Sequence, residues 1–132
     1  MKALMELVNK NITLFEESIK ITRLIKSAAN QDNVEEAVNL VENRDRLINI
    51  ITETQQELIE KIAQVEGPRL TTAFVNYLKN WKIKVNSSVA TIKDLDSEIL
   101  ICLENSKNEA MNKVATMLQN IQKVRNYDSQ NI

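Results

Sequence analysis

The sequence predicts an all-α fold, an antiparallel helical bundle or coiled coil of three long helices, the third much longer than the others. Three observations lead there. The 132 residues include one Gly and one Pro, where average usage would bring about nine and six. Strands and their turns draw on aromatic residues, Gly and Pro, yet aromatics make up only 4% of the chain. Hydrophobic residues still reach 43%, and they recur at steps of three and four, the period of a helix face. The length fits one helical domain over residues 1–132.

The first helix is predicted over residues 2–29. Met1, Met5, Val8, Ile12, Phe15 and Ile19 alternate in steps of four and three, a heptad seam. Leu4, Leu7, Leu14, Ile21 and Ile25 run beside it, and two adjacent stripes suit a bundle helix with two neighbours. The polar cluster Asn30-Gln31-Asp32-Asn33 then stops the helix.

Asn33 stands three residues before Glu36, an N-capping pattern, and Glu35 and Glu36 complement the helix dipole. The second helix is predicted over 34–65. It ends at Gly67, a left-handed cap, and Pro68 opens the next helix as a first-turn proline.

From there to Tyr127 there is no further Gly or Pro. Apolar positions continue from Leu70, Phe74 and Trp81 through Ile99 and Cys102 to Ala110, Val114, Met117, Ile121 and Val124. A third helix over 69–127 follows, with a disordered tail at 128–132. At about 1.5 Å per residue it would be a rod of about 87 Å against about 48 Å for the second. An antiparallel second helix would cover it only from Leu70 to Ile101, with Glu57 near Lys79 and Glu53 near Lys82. The segment beyond Asn105 would lack a partner in the chain. An alternative keeps four helices: Ser106-Lys107-Asn108-Glu109 matches a capping box, and the apolar stripe shifts phase before Ala110, so the chain breaks near Asn105-Ser106.

The net charge is −1, from 17 basic and 18 acidic residues, so no global field draws the chain to nucleic acid. The charges are segregated. Residues 34–66 carry eight acids against three bases, while residues 69–93 carry five bases (Arg69, Lys79, Lys82, Lys84, Lys93) and no acid. Pairing between these segments is the expectation. The absence of His removes the commonest general base and metal ligand, and one Gly cannot build a phosphate-cradling loop. The reading is a protein that is no enzyme and takes no cofactor or metal. Cys102 cannot form an internal disulfide, and no apolar run approaches membrane-spanning length. A cytoplasmic protein with no nucleic-acid partner and no membrane insertion is expected.

Around Leu40-Val41-Glu42-Asn43-Arg44-Asp45-Arg46-Leu47-Ile48 the chain resembles the flagellar type III export chaperones of the FlgN/FliT type. Glu42, Arg44 and Leu47 match a Glu-x-Arg-x-x-Leu pattern that precedes a run of aliphatics in that family. Length, helical character, acidic balance and the basic-aromatic end Lys123-Val124-Arg125-Asn126-Tyr127 extend the resemblance along the chain. It implies a cytoplasmic chaperone that holds an amphipathic helix of an exported flagellar or secretion substrate and keeps it export-competent.

That implication meets the residue pattern on the unpartnered third-helix segment. Ala110, Val114, Met117, Leu118, Ile121 and Val124 are the expected client-binding or dimer-binding surface, suited to helix-in-groove packing. The competing reading is a structural coiled-coil homodimer or adaptor with no export role, joined through the same stripe.

Overall fold

The computed structural model describes residues 2–65, 67, 70–106 and 108–130, with side chains described as far as Asn120. Its elements are four helices: α1 (Lys2–Asn30), α2 (Val34–Ala63), α3 (Thr72–Glu104) and α4 (Ala110–Gln130). The all-α class is observed, with four helices where three were expected. The rod over 69–127 is broken at Asn105, and the four-helix alternative describes the chain.

The break comes from short polar side chains that compete for backbone groups. Asn105 ends α3 with its N–H on the carbonyls of Ile101 and Leu103. Ser106 Oγ then accepts from the Asn108 N–H at 3.2 Å, and Asn108 Oδ1 accepts from the Ala110 N–H at 3.1 Å. Asn108, in place of the expected Ser106, caps α4. The connection 105–109 reverses the chain without Gly because it is wider than a two-residue turn. Helix α4 continues to Gln130, so residues 128–130 of the expected tail are helical, while 131 and 132 lie outside the described residues.

The other boundaries follow local chemistry. After α1, the Asn33 N–H reaches the Ala28 carbonyl at 2.9 Å and the Asp32 N–H reaches that of Ala29 at 3.1 Å. This is a Schellman closure, with Asp32 at φ 56° taking the left-handed position. Asn33 Oδ1 accepts from the Glu36 N–H at 3.2 Å and starts α2, as anticipated. Helix α2 stops at Ala63, two residues short of expectation, and its C-cap is Gln64 in the right-handed region; Gly67, expected as the cap, lies beyond it with a left-handed φ of 63°. The first-turn role of Pro68 falls outside the described residues. Helix α3 begins at Thr72, later than the expected 69, because Thr71 caps it by accepting from the Phe74 N–H at 3.0 Å.

In cross-section α1 packs on α2 and α3, and α4 packs on α2 and α3 from the other side. Helices α2 and α3 therefore occupy opposite corners and touch only marginally, which corrects the expected α2–α3 hairpin. The connection over residues 64–71 is long enough to cross that diagonal. Helices α1 and α3 run parallel, with Asn11 bonded to Trp81, Lys26 to Glu98 and Asn30 to Cys102, and just past their ends Asp32 accepts from Ser106.

The buried seam of α1 is Leu4, Val8, Asn11, Phe15, Ser18, Thr22, Ile25 and Ala29, an unbroken alternation of four and three. Polar residues sit inside it. The apolar stripe read from sequence shares Val8 and Phe15 with it, while Met5 is exposed. Helix α2 repeats the pattern with Ala37, Val41, Arg44, Ile48, Ile51, Gln55 and Leu58.

Two apolar clusters result. One, the upper cluster, gathers Ile25, Ala28, Ala37, Val41, Ile99 and Leu103 at the α4 end. The other, the lower cluster, gathers Val8, Phe15, Leu58, Phe74, Trp81 and Val85 at the Gly67 end. Where they meet lies a polar layer. Arg44 Nη1 donates to Asp96 Oδ1 at 2.6 Å and to Thr22 Oγ1 at 3.1 Å, and Thr22 Oγ1 donates to the Ser18 carbonyl at 2.7 Å. Arg44 and Asp96 are both fully buried.

Candidate functional site

Part of the expected client-facing stripe packs inside the chain. Val114 and Leu118 are fully buried with Met111 in the upper cluster, and Met117 packs half-buried against it. Ala110 is exposed at the start of α4. The side chains of Ile121 and Val124 lie outside the described residues. The folded-back α4 supplies the partner that an overhanging third helix would have lacked, because leaving Met111, Val114 and Leu118 in water would forgo about 1.5–3 kcal/mol each.

Helix α4 fills the channel between α2 and α3 at one end only. It starts at the same end of the bundle as α2 and runs in the same direction, but has 21 residues against 30. At about 1.5 Å per residue its described length is roughly 13 Å less than that of α2. Toward the Gly67 end the channel is an open groove of about 480 Å³ lined by Ile59, Ile62 and Ala63 of α2 and by Val75, Leu78, Lys79, Trp81 and Lys82 of α3. Ile59 and Val75 are each 38% exposed. Ile62, Leu78 and Trp81 connect the groove to the lower cluster.

The walls are apolar because α2 and α3 carry side chains beyond those needed for the seam toward α1. Ile59 adjoins the seam residue Leu58, and Val75 adjoins Phe74. Among the described residues of the lining, Lys79 and Lys82 alone are charged. Both are exposed. The expected pairing of Glu57 with Lys79 and Glu53 with Lys82 does not form, since α2 and α3 face each other across the diagonal. Ion pairs among the described residues join Lys26 to Glu98 and Arg44 to Asp96.

A second, smaller depression of about 300 Å³ lies between α1 and α3, bordered by Val8, Ile12, Tyr77, Trp81, Ile83 and Lys84. Its floor is tied by Trp81 Nε1, which donates to Asn11 Oδ1 at 3.0 Å.

The residues that carried the family resemblance are distributed differently. Glu42 is exposed, Leu47 is half-buried and Arg44 is the buried partner of Asp96. Arg46 is exposed and donates to Asn43 Oδ1 at 2.8 Å. Cys102 is half-buried and its thiol donates to Asn30 Oδ1. No group of His, Cys, Asp and Glu suited to a metal ion occurs among the described residues, and no helix among them is long and apolar enough to cross a membrane.

Comparison with known proteins finds no matching family model, no matching curated protein and no matching solved structure. The groove is the feature that sequence reasoning missed. Its signal is the pair of aliphatic residues flanking the seam, Ile59 and Val75, at the Gly67 end of the bundle.

Proposed function

We propose that the chain is a helix-binding chaperone that holds an amphipathic helix of an exported partner, in the manner of the flagellar export chaperones it resembles. One observation carries the reading: the α2–α3 channel accepts a helix at one end, where α4 lies, and stays open and apolar at the other. A client helix there would bury Ile59 and Val75 by the same packing that α4 uses. We place the client-facing surface in the groove at Ile59, Val75 and Leu78, since Val114 and Leu118 of the expected stripe are buried. Cytoplasmic residence belongs to the same proposal.

The test is titration calorimetry with a terminal helical segment of a flagellar filament-type export substrate. The chain binds it, Ile59→Asp weakens binding at least about tenfold by placing a charge in an apolar contact, and Met117→Asp does so only where α4 is displaced. Failure of the native chain to bind any such segment overturns the export-chaperone reading. A homodimer in sedimentation that Ile59→Asp converts to a monomer supports instead the structural coiled-coil or adaptor reading.

A further inference from the structure

Resting on the helix-binding reading, we infer that the groove selects amphipathic helices that carry acidic residues beside their apolar face. The observation is the fate of the segregated charge. Residues 70–93 hold Lys79, Lys82, Lys84 and Lys93 and no acid. The acid-rich α2 would have neutralised them in a hairpin, but the diagonal arrangement keeps α2 away. Among the described residues Lys79 and Lys82 have no ion-pair partner on the α3 wall, and no carboxylate lines the groove.

An incoming helix therefore meets an apolar floor of Ile62, Leu78 and Trp81 with two ammonium groups on one rim. Apolar residues at i, i+3 or i+4, and i+7 would cover Ile59, Val75 and Leu78. Asp or Glu one position to the α3 side would face Lys79 and Lys82, which lie three residues apart on one face of α3. A basic client helix would bring like charges together at the same rim. The asymmetry also fixes orientation, because the α2 wall offers Ile59, Ile62 and Ala63 and no charge to the groove. Electrostatic complementarity of this kind contributes more to selection and encounter rate than to affinity.

The experiment uses the full chain and two fluorescein-labelled peptides of equal length and helicity. They share a Leu stripe at helical spacing and differ in Glu or Lys on the positions flanking it. Fluorescence anisotropy at low salt should show the Glu peptide binding about three- to tenfold more tightly, the range that two exposed ion pairs give. The preference should shrink as salt is raised, and the Lys79→Glu/Lys82→Glu variant should reverse it. Equal binding of both peptides, or a preference unchanged in that variant, overturns the charge selection and leaves helix binding standing. Binding of neither peptide, or binding unaffected by Ile59→Asp, overturns the groove as a helix site. Circular dichroism of the charge-reversed chain controls for folding, since both lysines are exposed.

Discussion

Removing one partner of the Arg44–Asp96 pair should cost far more than removing both. Neither side chain reaches solvent, and Nη1 lies 2.6 Å from Oδ1. Asp96→Ala leaves a guanidinium in the middle of the bundle without its carboxylate. For a buried pair that loss is about 3–5 kcal/mol, a large share of the roughly 5–15 kcal/mol that holds a domain of this size. Replacing the pair by Arg44→Met with Asp96→Leu removes both desolvation costs and lets the two apolar clusters merge. The double variant should match the native chain or exceed it by up to about 4 kcal/mol. Urea unfolding followed by the fluorescence of Trp81, the chain's one tryptophan and a buried one, reads both quantities. The single variant's loss should persist at high salt, since buried charges are little screened. A single-variant loss below about 1 kcal/mol, the worth of an exposed pair, would refute the reasoning. So would a double variant less stable than Asp96→Ala alone.

Two further outcomes follow from burial. Ser18 Oγ is buried with no hydrogen-bond partner, so Ser18→Ala should add about 1 kcal/mol and raise the melting temperature by about 3–5 °C; a drop on calorimetry would mean the hydroxyl is satisfied. Leu118 is fully buried where α4 meets the upper cluster, so Leu118→Ala should cost about 2–5 kcal/mol. Hydrogen exchange should show the loss first in α4 amides, with those around Val8 and Phe15 retained, and a uniform loss along the chain would contradict the docking described.

Helix class, the Asn33 cap and the left-handed Gly67 were legible because each is decided by neighbours in sequence. The arrangement was not. Apolar spacing alone does not mark the seam of α1, because Asn11, Ser18 and Thr22 occupy it. A heptad read from hydrophobicity alone therefore slid onto Met5 and Ile12. Arg44 gave no hint of burial, since its carboxylate partner lies 52 residues away on α3. The absence of Gly after Pro68 suggested an unbroken rod, and the Asn105-Ser106-Asn108 cluster achieved the reversal through side-chain hydrogen bonds instead. Once α4 folded back, α2 and α3 were forced apart, and the charge blocks that looked self-complementary lost their register. The groove is a product of that tertiary choice, which local periodicity does not contain.

On either side of the polar layer at Arg44, Thr22 and Asp96 the bundle has a packed unit of its own, and α1, α2 and α3 run through both. Helix α4 contributes Met111, Val114 and Leu118 to the upper unit, whereas the groove borders the lower one through Ile62, Leu78 and Trp81. Opening of either unit can proceed with its own free energy. Occupying the groove stabilises the lower unit by mass action, and α4, which packs on α2 and α3, is coupled to it through those two helices as well as through the buried ion pair.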